Sequence, residues 1–143
     1  MKPIKYLFLA IAFLFSSQFL SAQEMKAKKF DNPVWVRMAF IKFEPGKMDK
    51  AKKIIKDYFA KADENAGITK PTAYSMSTGT YDMVVIWELE EGLETLNYEM
   101  TPNDVKWIGE LSSLAGSQEK AMEKLDEFYS YLADWKTEIA RKE

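Results

Sequence analysis

The chain contains neither cysteine nor histidine. Without cysteine there are no disulfides, no thiolate metal sites, no Cys nucleophile and no lipid-bearing N-terminal Cys. Without histidine the commonest general base, the commonest zinc and haem ligand and the usual pH switch are gone. No serine sits in a Gly-x-Ser-x-Gly elbow, and no glycine-rich phosphate loop occurs. Long apolar runs are also missing. The longest, residues 6–15, is about half of the roughly 20 residues a membrane-spanning helix needs. What remains is ordinary globular composition, 47% hydrophobic and 14% aromatic, enough for a packed core in a chain of single-domain length.

Residues 1–23 have the three parts of a secretory signal. Lys2 and Lys5 form a basic start, residues 6–15 an apolar centre, and residues 16–23 a polar stretch ending in small side chains. Cleavage is expected after Ala22 or Gln23, although Leu20 stands where a small residue is usual; an uncleaved anchor is the alternative. Loss of Lys2 and Lys5 lowers the 20 basic residues to 18 against 22 acidic ones, so the net charge goes from −2 to −4. Phosphate backbones need clustered positive charge, so this acidity argues against nucleic acid as a partner, and none is expected. The expected protein is exported, periplasmic or secreted, with no stable membrane insertion after cleavage. Residues 24–33 read as a flexible lead-in and 34–143 as a single α+β domain.

In residues 34–43, Val34, Val36, Met38 and Phe40 alternate with Trp35, Arg37, Ala39, Ile41 and Phe43. Both sides are largely apolar, which predicts an interior strand. Residues 82–89, Asp-Met-Val-Val-Ile-Trp-Glu-Leu, read the same way and predict its neighbour. Residues 71–78 have one polar side and suit an edge strand, joined to 82–89 through Gly79 as a hairpin. Between the first two strands, Met48, Ala51, Ile55, Phe59 and Ala62 form one apolar stripe of a helix over 47–63, with its lysines mostly off the stripe. That basic face is either solvated or meets an anionic lipid surface. Thr101, Pro102 and Asp104 open a second helix that stops at Gly116. Ala121, Leu125, Phe128, Leu132, Trp135 and Ile139 are spaced like a heptad seam and predict a last helix from Ser117 to Arg141. The expected fold is a ferredoxin-like antiparallel sheet of three strands (34–43, 71–78, 82–89) covered by helices, with C-terminal helices replacing the fourth strand.

Two short motifs carry a family resemblance. Phe43-Glu44-Pro45-Gly46-Lys47 resembles the strand-to-helix turn of the dimeric α+β barrel superfamily, which includes the antibiotic-biosynthesis monooxygenases and haem-degrading relatives. Ile86-Trp87-Glu88-Leu89-Glu90-Glu91 is similar to that family's Trp-Glu strand end. The resemblance covers residues 34–100 and implies a sheet-to-sheet homodimer. Its haem chemistry relies on a histidine that this chain lacks. Its cofactor-free oxygenation implies Asn, Trp and Arg in a cavity, for which Arg37 and Trp87 are present but no strand asparagine is.

Antiparallel pairing of 34–43 with 82–89 allows Arg37 and Glu88 to share a sheet face, as part of a ligand pocket or as a structural ion pair. Trp35, Tyr74, Trp87, Tyr98 and Trp107 form either an aromatic cavity wall or ordinary core. Glu88, Glu90, Glu91 and Glu94 lack the spacing of a calcium loop and read as a solvated acidic stretch; no metal and no cofactor are expected. The reading of the whole is an exported, non-enzymatic domain that pairs as a homodimer and binds a small apolar or aromatic molecule through Arg37, Trp35, Tyr74, Trp87, Glu88, Tyr98 and Trp107. Two alternatives stand beside it. One is a cofactor-free monooxygenase-like enzyme, and the other an interaction module that uses the last helix as its contact surface.

Overall fold

Strand β1, Trp35–Phe43, lies inside the sheet, because both of its alternating sides are apolar and each of its edges finds a partner. The computed structural model describes residues 26–143, of which Asn32–Glu143 form one unit. The expected leader lies outside the described residues. Residues 26–31 are exposed and without regular structure, so the part of the lead-in that is described is irregular.

After β1, Glu44 to Lys47 make a turn, with the Lys47 N–H donating to the Glu44 carbonyl at 2.9 Å and Gly46 at φ 73°. The chain then enters helix α1, which is α-helical over Met48–Ile54, opens into a π turn over Ile55–Phe59 and is α-helical again over Ala60–Ala66. In the π turn the Ala60 N–H reaches back five residues to the Ile55 carbonyl. One residue is thereby inserted into the helical phase. All five residues of the expected stripe face the cores, with Met48, Ile55 and Phe59 partly buried and Ala51 and Ala62 buried, and the π turn adds Ile54, buried beside Ala51. Gly67, at φ 68°, takes the left-handed cap.

Strand β2, Thr72–Ser75, is short and exposed along its length, as an edge strand is, and β3, Met83–Glu88, returns beside it. A 3-10 segment, Gly92–Asn97, leads to helix α2, Pro102–Ala115. Its start was readable in advance. The Thr101 hydroxyl accepts from the Asp104 N–H at 3.1 Å while the Asp104 carboxylate accepts from the Thr101 N–H at 2.9 Å, a reciprocal cap with Pro at the first turn. Helix α3, Gln118–Tyr129, begins on the Ser117 side chain, which accepts from the Lys120 N–H at 3.2 Å.

At Tyr129 the expected course of the chain fails. The last helix does not run to Arg141, and the fourth strand is not replaced: residues Leu132–Arg141 are a strand, β4, antiparallel to β1. The sheet therefore has four strands in the order β2-β3-β1-β4, all antiparallel. The spacing of Leu132, Trp135 and Ile139 fits a helix, but Trp135, Thr137 and Ile139 also alternate with Asp134, Lys136 and Glu138 at the strand period. The free edge of β1 decides between them, because its backbone donors and acceptors need a partner and β4 provides one from Trp35 to Phe43.

The register assigns the two sheet faces. Trp35, Arg37, Ala39, Ile41 and Phe43 share one face with Met83, Val85 and Trp87 of β3 and with Trp135, Thr137, Ile139 and Arg141 of β4. Ile41, Phe43, Met83 and Val85 pack there with Ala51 and Ile54 of α1 and Phe128 of α3 as the main core. A second cluster, Ala62, Leu111 and Ala121, joins the latter half of α1 to α2 and α3. The opposite face carries Val36, Met38, Phe40, Val84 and Ile86, none of which belongs to either cluster. Among the described residues no helix packs on it, and no helix is long and apolar enough to cross a membrane.

Candidate functional site

Three of the sequence-designated residues meet on the helix side of the sheet. Arg37 lies directly across from Trp87 on β3 and from Ile139 on β4, with Trp35 two residues away on the same side. Trp35 is flanked by the 3-10 segment. Its Cδ1 lies 3.4 Å from where a Cβ would stand on Gly92, whose φ of 59° favours glycine. Arg37 is half-buried, yet among the described residues it has no hydrogen-bond or ion-pair partner. Solvent still reaches it, since among the described residues no side-chain nitrogen or oxygen is both fully buried and without a partner. Next to it the helical layer gives out. Ile139, directly across from Arg37, is 38% exposed, and Trp135, four residues away along β4 and opposite Ile41, is 51% exposed, although both project from the side of the sheet that elsewhere holds the core.

The other designated residues do not join them. Glu88 is opposite Val36, so it lies on the other face from Arg37, and the shared face expected for that pair is not formed. The cause is register: Arg37 pairs with Trp87, and a shift of one residue moves a side chain across the sheet. Glu88 is exposed and approaches Lys142 at 3.9 Å. Tyr74 is opposite Val84, also on the far face, and is exposed. Tyr98 follows the 3-10 segment and is exposed, and its hydrogen bond to Glu91 raises its phenol pKa. Trp107 belongs to the second hydrophobic cluster, stacks edge-on against Phe59 at 5.4 Å and points its indole N–H at the Phe59 carbonyl, 3.4 Å away. It is a core residue tying α2 to the end of the π turn. Burial at this junction pushes the Asp63 carboxyl up from its ordinary pKa, opposed by a hydrogen bond from Trp107.

A cleft between α1 and α3 was not anticipated. It measures about 420 Å³ and is lined by Lys50, Lys53, Ile54, Asp57, Tyr58, Lys124, Glu127 and Tyr131, none of them designated from sequence. The charges in it compensate one another. Lys124 pairs with Glu127 at 2.7 Å and lies 5.5 Å over the Tyr58 ring, the Tyr131 hydroxyl donates to Glu127 at 2.8 Å, and Lys53 pairs with Asp57 at 2.7 Å. Hydrogen bonds from Lys124 and then Tyr131 lower the Glu127 pKa, and the same contacts raise those of Lys124 and Tyr131. The groups hold one another in their ordinary ionisation states, which suits clamping the two helices and not proton transfer. The signals for it in the sequence were Lys and acid at helical spacing, 53 with 57 and 124 with 127. Among the described residues no three of His, Cys, Asp and Glu come together to hold a metal.

No family model matches the chain, and no curated protein matches it. Solved structures do. A NIPSNAP family protein from Agrobacterium tumefaciens superposes with a TM-score of 0.52 over 82% of this chain and 93% of its own, at 11% identity. A second NIPSNAP family protein from the same organism, described as of unknown function, gives a TM-score of 0.55 over 81% of this chain and 94% of its own, at 9% identity. At such identities the likeness concerns the fold, which is ferredoxin-like α+β in these neighbours as in this chain.

Proposed function

We propose that this chain is an exported, non-enzymatic domain that pairs with a second copy and holds a small apolar or aromatic molecule on the helix side of its sheet. The reading rests on the place where the helical layer stops. Ile139 is partly exposed beside Arg37 and Trp87, and Trp135 is half exposed further along β4 opposite Ile41, so an apolar strip continuous with the core lies open to a ligand. The second copy suits the other face. Met38, Phe40 and Ile86 are half-buried in its middle, while Lys42, Asp134, Lys136, Glu138 and Glu88 put both signs of charge around them. A two-fold related copy brings unlike charges together around a shared apolar centre. Export is the part that rests on sequence alone, through residues 1–23.

Native mass spectrometry of protein purified from its own cell envelope tests both parts together. A dimer mass with a retained small molecule is the expected result. A bare monomer at high concentration removes both. One observation favours the enzymatic alternative, the direct cross-strand pairing of Arg37 with Trp87. Oxygen consumption with a quinol, lost in Arg37→Ala, would move the reading to that alternative.

A further inference from the structure

An arginine in the middle of a central strand, facing the core side of its sheet, needs a reason to be there. Its guanidinium stays charged at any relevant pH, and holding the residue half-buried with no partner among the described residues costs free energy that a neutral side chain would not. Flanking residues give no counter-charge on that face: Trp87 stands on one side, Ile139 on the other, and Trp35 and Ala39 above and below. The neighbouring arginine on the same face, Arg141, is engaged by Glu143. A ligand reaching Arg37 therefore meets a single unpaired positive charge in an aromatic and aliphatic setting.

That environment selects among anions. The planar fork of a guanidinium matches the two oxygens of a carboxylate, and one positive charge balances one negative charge. A phosphomonoester carries close to two negative charges and would be left undercompensated at a site with one partnerless cation. We infer that Arg37 anchors the carboxylate of a small amphipathic organic acid whose apolar or aromatic body lies against Trp35, Trp87 and the partly exposed side chain of Ile139. The inference rests on the ligand-binding reading above and adds to it the chemical class of the ligand.

Calorimetric titration of the purified full chain with 2-naphthoate and with its neutral counterpart 2-naphthalenemethanol separates the two levels. The acid is expected to bind at least about tenfold more tightly than the alcohol. Arg37→Met should abolish that preference while leaving alcohol binding within about twofold, and Arg37→Lys should restore part of it, because a point charge replaces a bidentate fork. Raising the salt concentration should narrow the gap in the wild type and not in Arg37→Met. Equal binding of acid and alcohol to the wild type, or a preference that survives Arg37→Met, overturns the carboxylate inference and leaves the ligand-binding reading standing. Binding of neither probe to the wild type overturns both. If Arg37→Met lacks a cooperative melting transition, the wild-type ratio and the Arg37→Lys ratio decide.

Discussion

Strands β3 and β4 pair with the same central strand from opposite sides, and they could hardly be more different. In β3, Met83, Val84 and Val85 are 7%, 5% and 8% exposed, so the strand buries side chains on both of its faces. In β4 most residues are exposed on both faces, including Trp135 and Ile139, which share a sheet face with the buried Met83 and Val85. One flank of β1 is built to hold the fold together. The other completes the hydrogen-bond ladder and leaves its side chains accessible, which is where a binding surface belongs.

The division implies unequal costs of substitution. Met83→Ala should lower stability by about 2–5 kcal/mol in denaturant titration, because a buried side chain leaves a void in the main core. A cost near zero would show that β3 is not the structural flank. Asp82→Ala comes next. The Asp82 side chain accepts from the Phe43 N–H at 2.8 Å, its own N–H donates to the Ile41 carbonyl at 2.8 Å, and its carbonyl accepts from the Met76 N–H at 2.8 Å. Truncation leaves the buried Phe43 N–H unpaired, at about 1–3 kcal/mol. Arg37→Met should act in the opposite direction and raise stability by about 1 kcal/mol, since it removes a partnerless charge from the sheet face. A loss of that size would mean the arginine is structural. Smallest is Trp135→Ala, expected within about 0.5 kcal/mol of the wild type because the ring is half exposed. Ile139→Ala, on the same strand and beside Arg37, should weaken naphthoate binding, and unchanged binding would break the assignment of β4 as the accessible flank.

The contrast also explains what could be read in advance. A strand covered on both faces declares itself in sequence, and Val84, Val85, Ile86 and Trp87 placed β3 beside β1 without reference to coordinates. The turn at Gly46, the cap at Thr101 and the edge position of β2 were equally legible, although β2 is confined to Thr72–Ser75 and is exposed on both faces. A strand exposed on both faces has no burial pattern to display, so Leu132, Trp135 and Ile139 continued a helical spacing begun by Ala121, Leu125 and Phe128. Only the long-range pairing with β1 overrides it. Of the candidate site, Trp35, Arg37 and Trp87 were found because strand alternation alone puts Trp35 and Arg37 together and pairing adds Trp87. Glu88 and Tyr74 were misplaced for want of register, and Ile139 and Trp135 were hidden with β4 itself.

The π turn at Ile55–Phe59 gives α1 two independent phases. Residues before it address the sheet through Ala51 and Ile54, and Ala62 after it addresses α2 and α3. Were the same residues wound as an unbroken α-helix, the latter half would be turned by about 100° against the former. Ala62 would leave its contact with Leu111 and Ala121 while the sheet core kept its own. The wide turn thus acts as a gear tooth, meshing one helix with a flat sheet at one end and a helical pair at the other.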